Sequence, residues 1–228
     1  MVESLVTQEN TAFSEPERAA VYRAIAARRD VRRGFVNRPL PDDLLLRLLA
    51  AAHRAPSVGL MQPSRFIVIR DVAKRQAVHD IFEAANKDAA ATYQGEQAEQ
   101  YAALKLEGIL EAPQNLCVVC DTQNGRGHKL GRHTMPETAA YSTVCAIQNL
   151  WLAARAEGVG VGWVSILDPL RLREVLQIPQ HILPVAYLCL GYVDKFASEP
   201  ELEICGWERR VPLDTAVCYD VYSEGARS

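Results

Sequence analysis

The stretch from residue 134 to residue 166 constrains the fold of this chain more than any other. It opens on Thr134-Met135-Pro136-Glu137, whose spacing predicts a capping box: the Thr134 hydroxyl accepts the Glu137 amide and the Glu137 carboxylate reaches back to the Thr134 amide. From there Tyr141, Val144, Cys145, Gln148, Leu152 and Ala156 lay out a near-continuous apolar face, and Gly158 is placed to stop the helix in the left-handed conformation. Residues 159–166 then predict a strand. A long apolar helix that passes straight into a strand shares one core with it, so helix and sheet stack as layers.

The rest of the chain repeats that interleaving. Residues 15–29 carry Val21, Ile25 and alanines at helical spacing and predict a first helix. Residues 41–53 predict a second, with Pro41 in its first turn, Asp42 and Asp43 at the positive end of the dipole, and Leu44, Leu45, Leu48 and Leu49 as the apolar stripe. A loop over residues 55–64 leads to a strand at Phe66-Ile67-Val68-Ile69, two helical stretches fall within 72–111, and residues 116–120 predict a further strand. Asp168-Pro169 is the cap and first turn of a short helix, and residues 183–193 are a last strand. With no linker or repeat in view, one domain is expected over residues 1–228. It would have a tail at about 1–14 and an arm at about 199–228 that either lies on the surface or packs on another subunit.

Composition removes several classes of function. The 228 residues are 49% hydrophobic and 23% charged, as in ordinary folded domains, and the formal net charge of −3 offers no global basic field to a nucleic-acid backbone. The most apolar stretch, residues 145–156, is broken by Gln148, Asn149 and Arg155, so no membrane span is expected. The N-terminus carries Glu3 and Glu9 and no basic segment ahead of an apolar core, so it does not read as a secretory signal, and the cytoplasm is the default location. The six cysteines lie mostly in apolar segments, at Cys117, Cys120, Cys145 and Cys189, and read as reduced, buried thiols. Cys117 and Cys120 face opposite ways on a strand, and His128 and His133 lack spaced partners, so no metal is expected.

Against that acidic background Arg28, Arg29, Arg32, Arg33 and Arg38 put five guanidinium groups within eleven residues. Planar guanidinium forks match phosphate oxygens, so one reading is a site for a small phosphorylated ligand. The other is a solvated charge run balanced by Asp30, Asp42 and Asp43. Asp30 sits near the end of a predicted helix, where the dipole opposes a carboxylate unless the neighbouring arginines compensate; it is either a structural ion-pair partner or an acid/base group. Gly158, Gly160 and Gly162 do not make a dinucleotide fingerprint, because the order is helix, glycines, strand. They predict a helix cap and a strand approached closely by a ligand or a neighbour.

The segment Arg28-Arg29-Asp30-Val31-Arg32 resembles the first motif of the nitroreductase-like FMN superfamily: two basic residues, a small residue, and another basic residue two further on. Ala55-Pro56-Ser57-Val58-Gly59-Leu60-Met61-Gln62-Pro63 is similar to its flavin-contacting loop. Within that superfamily the closer resemblance is to the 5,6-dimethylbenzimidazole synthase family, carried also by residues 132–145 and 158–165. Asp30 stands where ordinary nitroreductases usually have a small polar residue, and Ser165 where many have a glutamate contacting the flavin. Ser64-Arg65 departs from the more usual Trp-Asn, and Leu60 from the common aromatic.

This resemblance implies an α+β fold with a central, mostly antiparallel sheet flanked by helices, in a homodimer with FMN at the subunit interface and the C-terminal arm over the partner. It implies an oxidoreductase that consumes reduced FMN and O2, fragmenting the flavin to 5,6-dimethylbenzimidazole, the lower ligand of cobalamin, and D-erythrose 4-phosphate. The reduced FMN would come either from this chain's own use of NAD(P)H or from a separate flavin reductase. Asp30 is implied as the acid/base group and Ser165 as a hydrogen-bond partner of the flavin. FMN contacts are implied at Arg28, Arg29 and Arg32, at Pro56, Ser57, Val58, Gly59 and Leu60, at Leu106, Trp163 and Val164, and at Arg209 or its neighbour Arg210. Two rivals stand beside this reading. One is an NAD(P)H-dependent FMN nitroreductase or flavin oxidoreductase that keeps its flavin; the other is a non-catalytic flavin-binding protein.

Overall fold

A computed structural model describes residues 12–223, so most of the tail expected over residues 1–14 lies outside the described residues. Four strands, β1 (Ser64–Ile69), β2 (Gln114–Asp121), β3 (Val159–Val164) and β4 (Ile182–Tyr192), form one antiparallel sheet in the order β1-β2-β4-β3. Seven helices accompany it among the described residues: α1 (Glu15–Ala27), α2 (Asp42–His53), α3 (Val72–Ala90), α4 (Glu96–Ala103), α5 (Thr138–Ala156), α6 (Pro169–Leu176) and α7 (Glu201–Ile204). The architecture is α+β, as expected.

β2 is buried over nearly its whole length because helices cover both faces of the sheet. Leu116 and Val118 point into a cluster with Leu44 and Leu48 of α2 and Ile147 and Leu150 of α5. Cys117 and Val119, half a pleat away, join Val78 and Phe82 of α3 and Leu172 of α6. Each such leucine contributes ~2 kcal/mol by leaving water, which is why the α5 segment settles in the interior. Between Val118 and Val119 the register with β4 shifts, and Pro184, which has no N–H to give, is accommodated beside that irregularity.

Four local expectations need correction. The face laid out for α5 is not the one it buries: Tyr141, Val144, Cys145, Gln148 and Ala156 are exposed and Leu152 is half-buried, while Ser142, Thr143, Ala146, Ile147, Leu150, Trp151 and Ala154 turn inward against the sheet and α2. The capping box at Thr134 does not form: α5 starts at Thr138, and the Thr134 hydroxyl donates to Gly131 O at 3.4 Å. Residues 131–138 are drawn into turns instead, with Met135 N on Gly131 O (3.3 Å) and Thr138 Oγ1 on Met135 O (2.6 Å). The same sequence pattern works ahead of α1, where the Glu17 carboxylate accepts both the Ser14 amide (2.9 Å) and the Ser14 hydroxyl (2.5 Å). Pro41 is the residue before α2 and not part of its first turn. β3 ends at Val164, so Ser165 lies just past the strand. Gly158, at φ +75°, follows α5 as expected, and Asp168 caps α6 by accepting from Leu170 N (2.8 Å) and Arg171 N (3.3 Å). Among the described residues no helix is long and apolar enough to cross a membrane, and no group of three metal-ligating side chains converges.

Candidate active site

The arginine segment after α1 is built onto the edge of the sheet. Arg155 of α5 donates its Nε to Ala27 O (2.9 Å), and Trp151 donates Nε1 to Arg29 O (3.1 Å) while its ring lies 5.1 Å from the Arg28 guanidinium. The chain then runs beside β3: Asp30 makes a parallel bridge to Val161, and Val31 N donates to Val161 O at 3.0 Å. That approach requires the two strand glycines. A Cβ at Gly162 would collide with the Val31 carbonyl oxygen, and one at Gly160 would stand 2.7 Å from Val193 Cγ1. The neighbour that explains Gly162 is therefore this segment of the same chain, whereas Gly160 is crowded by the side chains of both Val193 and Val31.

Asp30 is held from two sides. Its Oδ1 accepts the Trp163 amide (2.9 Å), and its Oδ2 accepts Arg32 Nε (3.0 Å) and Nη2 (2.6 Å), so Arg32 supplies the compensation that a carboxylate after a helix end needs. Arg28, Arg29, Asp30 and Arg32 line a cavity of about 110 Å³, closed on its other side by Glu201, Leu202 and Arg210. Four guanidinium groups thus face two carboxylates. Partial burial lowers the pKa of Arg28; Asp30 opposes the shift, and the like charges of Arg210 and Arg29 add to it. The Arg29 side chain donates to Ser198 O, yet its Nε is buried with no partner. A second cavity of about 440 Å³ adjoins the first and shares Arg29, Asp30, Arg32 and Glu201 with it.

The remaining arginines are spoken for locally. Arg33 pairs with Glu201 at 2.5 Å, and Arg38 stacks 4.2 Å from the centre of the Tyr192 ring. Asp42 and Asp43 do not balance the cluster, since they pair with Arg70 and Arg47. Both candidate arm arginines are exposed, and it is Arg210 that lines the basic cavity, while the Arg209 amide donates to Glu208 Oε1 (2.8 Å).

Other anticipated residues sit elsewhere in the protomer. Trp163, Val164 and Ser165 line a separate cleft of about 260 Å³ with Pro184 and Tyr187, so Trp163 stands between the cavity of Asp30 and that of Ser165. Pro56 and Ser57 line a small cleft with Ser142 of α5. There Ser57 Oγ accepts Gln62 N (3.0 Å) and Ser142 Oγ accepts Val58 N (3.1 Å), which fixes a turn with positive φ at Gly59, Leu60 and Gln62. Leu60 is exposed, and Leu106 packs against the α3 side of the core. Sequence reasoning missed Glu201, and it missed Trp151 and Arg155 as anchors. The last two had a signal, being four apart on one face of a predicted helix.

The Nitroreductase family profile matches residues 25–192. The chain belongs to the nitroreductase family. That match ends at β4, so the segment that closes the basic cavity lies beyond it. Among relatives of the nitroreductase family, the 5,6-dimethylbenzimidazole synthase of Rhodospirillum rubrum is 49% identical over 185 residues, which is 81% of this chain and 87% of that protein. A 5,6-dimethylbenzimidazole synthase of Rhodobacter capsulatus is 42% identical over 202 residues, or 89% of this chain and 97% of that one. The same fold appears in an iodotyrosine deiodinase solved with FMN and 3-iodo-L-tyrosine, at TM-score 0.70 and 22% identity over 89% of this chain and all of the other. It recurs in an NADPH:FMN oxidoreductase from Vibrio harveyi, at TM-score 0.64 and 19% identity over 90% of this chain and 79% of that one.

Proposed function

We propose that this chain is a 5,6-dimethylbenzimidazole synthase that takes reduced FMN as its substrate and, with O2, fragments it to 5,6-dimethylbenzimidazole and D-erythrose 4-phosphate. The observation that carries the reading is the basic cavity around Asp30. An unpartnered buried Arg29 Nε among four guanidinium groups suits a phosphate, and the adjoining larger cavity leaves room for the body of a phosphorylated ligand. The identity to the two synthases supports the flavin as that ligand. Reduced FMN supplies the electrons that reduce O2; its dimethylbenzene ring with the two attached nitrogens, together with the one ribityl carbon left when the five-carbon chain yields a four-carbon phosphate, makes the benzimidazole, and the pyrimidine part of the flavin leaves as a third fragment.

In this reading Arg28, Arg29, Arg32 and Arg210 bind the phosphate, and Asp30, beside them and held by the Trp163 amide, moves protons at the ribityl chain. Ser165 offers a hydroxyl to the flavin edge, and Pro56 to Leu60, together with Trp163 and Val164, shape the ring site. A homodimer joins these separate clefts. What favours it is apolar surface with nothing over it: α1 buries no residue and exposes Val21, Tyr22 and Ile25, and the arm exposes Val211, Leu213, Tyr219 and Tyr222. A separate NAD(P)H-dependent flavin reductase in the cytoplasm would supply the reduced FMN.

The test is aerobic incubation of the purified chain with excess FMN kept reduced, followed by mass spectrometry for dimethylbenzimidazole and for flavin loss. Product matching the flavin lost in the wild type, absent with Asp30→Asn and reduced with Ser165→Ala, is the expected result. FMN recovered whole while NAD(P)H is oxidised would make the chain a flavin oxidoreductase and overturn the reading.

A further inference from the structure

Arg210 reaches the basic cavity from a segment with little else to hold it. Every described residue after Trp207 is exposed, so Trp207 is the last described residue of the arm with much of its surface covered. Its ring meets Tyr93 edge-on, with centroids 5.5 Å apart and planes at 80°, and stands 6.1 Å from Tyr101. Tyr93 and Tyr101 are themselves stacked at 4.7 Å. Tyr101 is buried and donates its hydroxyl to Asn86 Oδ1 at 2.7 Å, so this aromatic seat belongs to α4, α3 and the loop between them and is fixed independently of the cavity. Trp207 N also donates to Leu202 O at 2.9 Å, and Leu202 lines the cavity wall. Only two residues, Glu208 and Arg209, separate Trp207 from Arg210, a span of at most about 11 Å even when extended.

We propose that Trp207 is a positioning residue for the phosphate site: seated edge-on against the stacked pair of Tyr93 and Tyr101, it holds the segment that carries Arg210 over the cavity formed by Arg28, Arg29 and Arg32. The inference rests on the reading of that cavity as the site for the FMN phosphate. Its physical basis is that four guanidinium groups repel one another in the absence of an anion, and Arg210 is one of the charges that disfavour the charged form of Arg28. An untethered Arg210 would swing into solvent and would have to be ordered each time a ligand bound. The aromatic seat removes most of that ordering cost from binding.

The experiment compares oxidised FMN with riboflavin, which has no phosphate, by flavin fluorescence quenching. Trp207→Ala and Arg210→Ala are each expected to weaken FMN about tenfold while leaving riboflavin within about twofold. Trp207→Phe restores most of the loss, and the double variant binds FMN no more weakly than Arg210→Ala alone. Tyr93→Ala, which removes the edge-on partner and keeps Trp207, carries the same expectation should Trp207→Ala fail to fold. Equal weakening of FMN and riboflavin by Trp207→Ala would assign it a merely structural role and overturn the inference, as would unchanged FMN affinity or losses that add in the double variant. If Arg210→Ala itself leaves FMN affinity unchanged, the phosphate-site reading falls and takes the inference with it.

Discussion

The two walls of the basic cavity are built in opposite ways. Residues 27–34 are tied to the sheet by a parallel bridge at Asp30, by Gly162, which admits the Val31 carbonyl, and by Trp151 and Arg155 reaching from α5. The facing wall, from residue 198 to residue 210, is held by Arg29 on Ser198, Arg33 on Glu201 and the Trp207 ring, and then gives way to a wholly exposed arm. One wall is therefore set by folding of the core, whereas the other is a strap whose position depends on a few side chains. Damage to the first should destroy the site, and damage to the second should loosen it.

The sharpest break is Gly162→Ala. A methyl group there meets the Val31 carbonyl, which is backbone and cannot step aside, so the Asp30 segment must leave β3. A cost of about 3 kcal/mol is expected, or roughly 10 °C in Tm, together with loss of flavin binding. Gly125→Ala is the control, because an added methyl there would find nothing within 4 Å and the φ of −72° suits any residue. Thermal melts of the two variants that coincide would sink the account of the rigid wall.

Next in size is Asp30→Asn. An asparagine still accepts the Trp163 amide and keeps the segment in place, but it no longer takes up a proton, so dimethylbenzimidazole formation should fall by about 100-fold or more. Binding should move the other way. With one carboxylate gone the cavity is more cationic, and FMN affinity measured by fluorescence should hold or tighten. Arg28→Ala, by contrast, should weaken FMN about tenfold, and Arg33→Ala much less, because Arg33 spends its charge on Glu201.

Thiol labelling reads the contrast directly, with a smaller effect. Cys117 and Cys189 are buried in the sheet; burial pushes the Cys117 thiol up to about 12 and Cys189 higher still, so neither should react in native protein near neutral pH. Cys145 is exposed on α5, and Cys205 and Cys218 are exposed on the strap and arm. Hydrogen bonds with Ser223 lower the Cys218 pKa, which makes it the first to be labelled in an isolated protomer. Selective protection of Cys218 in the native state would mean that a second copy covers the arm; rapid labelling of Cys117 would contradict the packed sheet.

What the sequence made legible was what local pattern controls. The buried β2 run, the Gly158 stop and the Asp168 cap all follow from residues within a few positions of one another, whereas the face that α5 buries did not, because its small and polar members Ser142, Thr143 and Ala146 are made interior by the sheet they pack on. The paired glycines in β3 announced a close approach, although not which segment made it. Asp30 and Arg32 were visible as a motif. Glu201 was not, because it meets Arg33 across more than 160 residues of sequence with no periodicity to mark the meeting. Nor did the motifs disclose that Asp30 and Ser165 open onto different cavities within one protomer; that depends on how Trp163 sits between them.

The smallest predicted effect tests why one of two identical patterns failed. Ser14-x-x-Glu17 and Thr134-x-x-Glu137 both spell a capping box, yet only the first engages its glutamate. The difference is tertiary. Arg132 donates to the carbonyls of Thr122 (3.3 Å), Asn124 (3.1 Å) and Arg126 (3.1 Å), which holds the loop before α5 in turns and delays the helix to Thr138. Among the described residues no long-range hydrogen bond competes for Ser14, which precedes a solvent-facing α1. Ser14→Ala should therefore lower Tm by at most a few degrees, and Thr134→Ala should leave it unchanged. Arg132→Ala should release the loop, so that Thr134→Ala begins to matter only in that background. A Thr134→Ala effect as large as that of Ser14→Ala in the otherwise unaltered chain would show that the box at Thr134 forms after all, and that the arginine tether is not what decides where α5 begins.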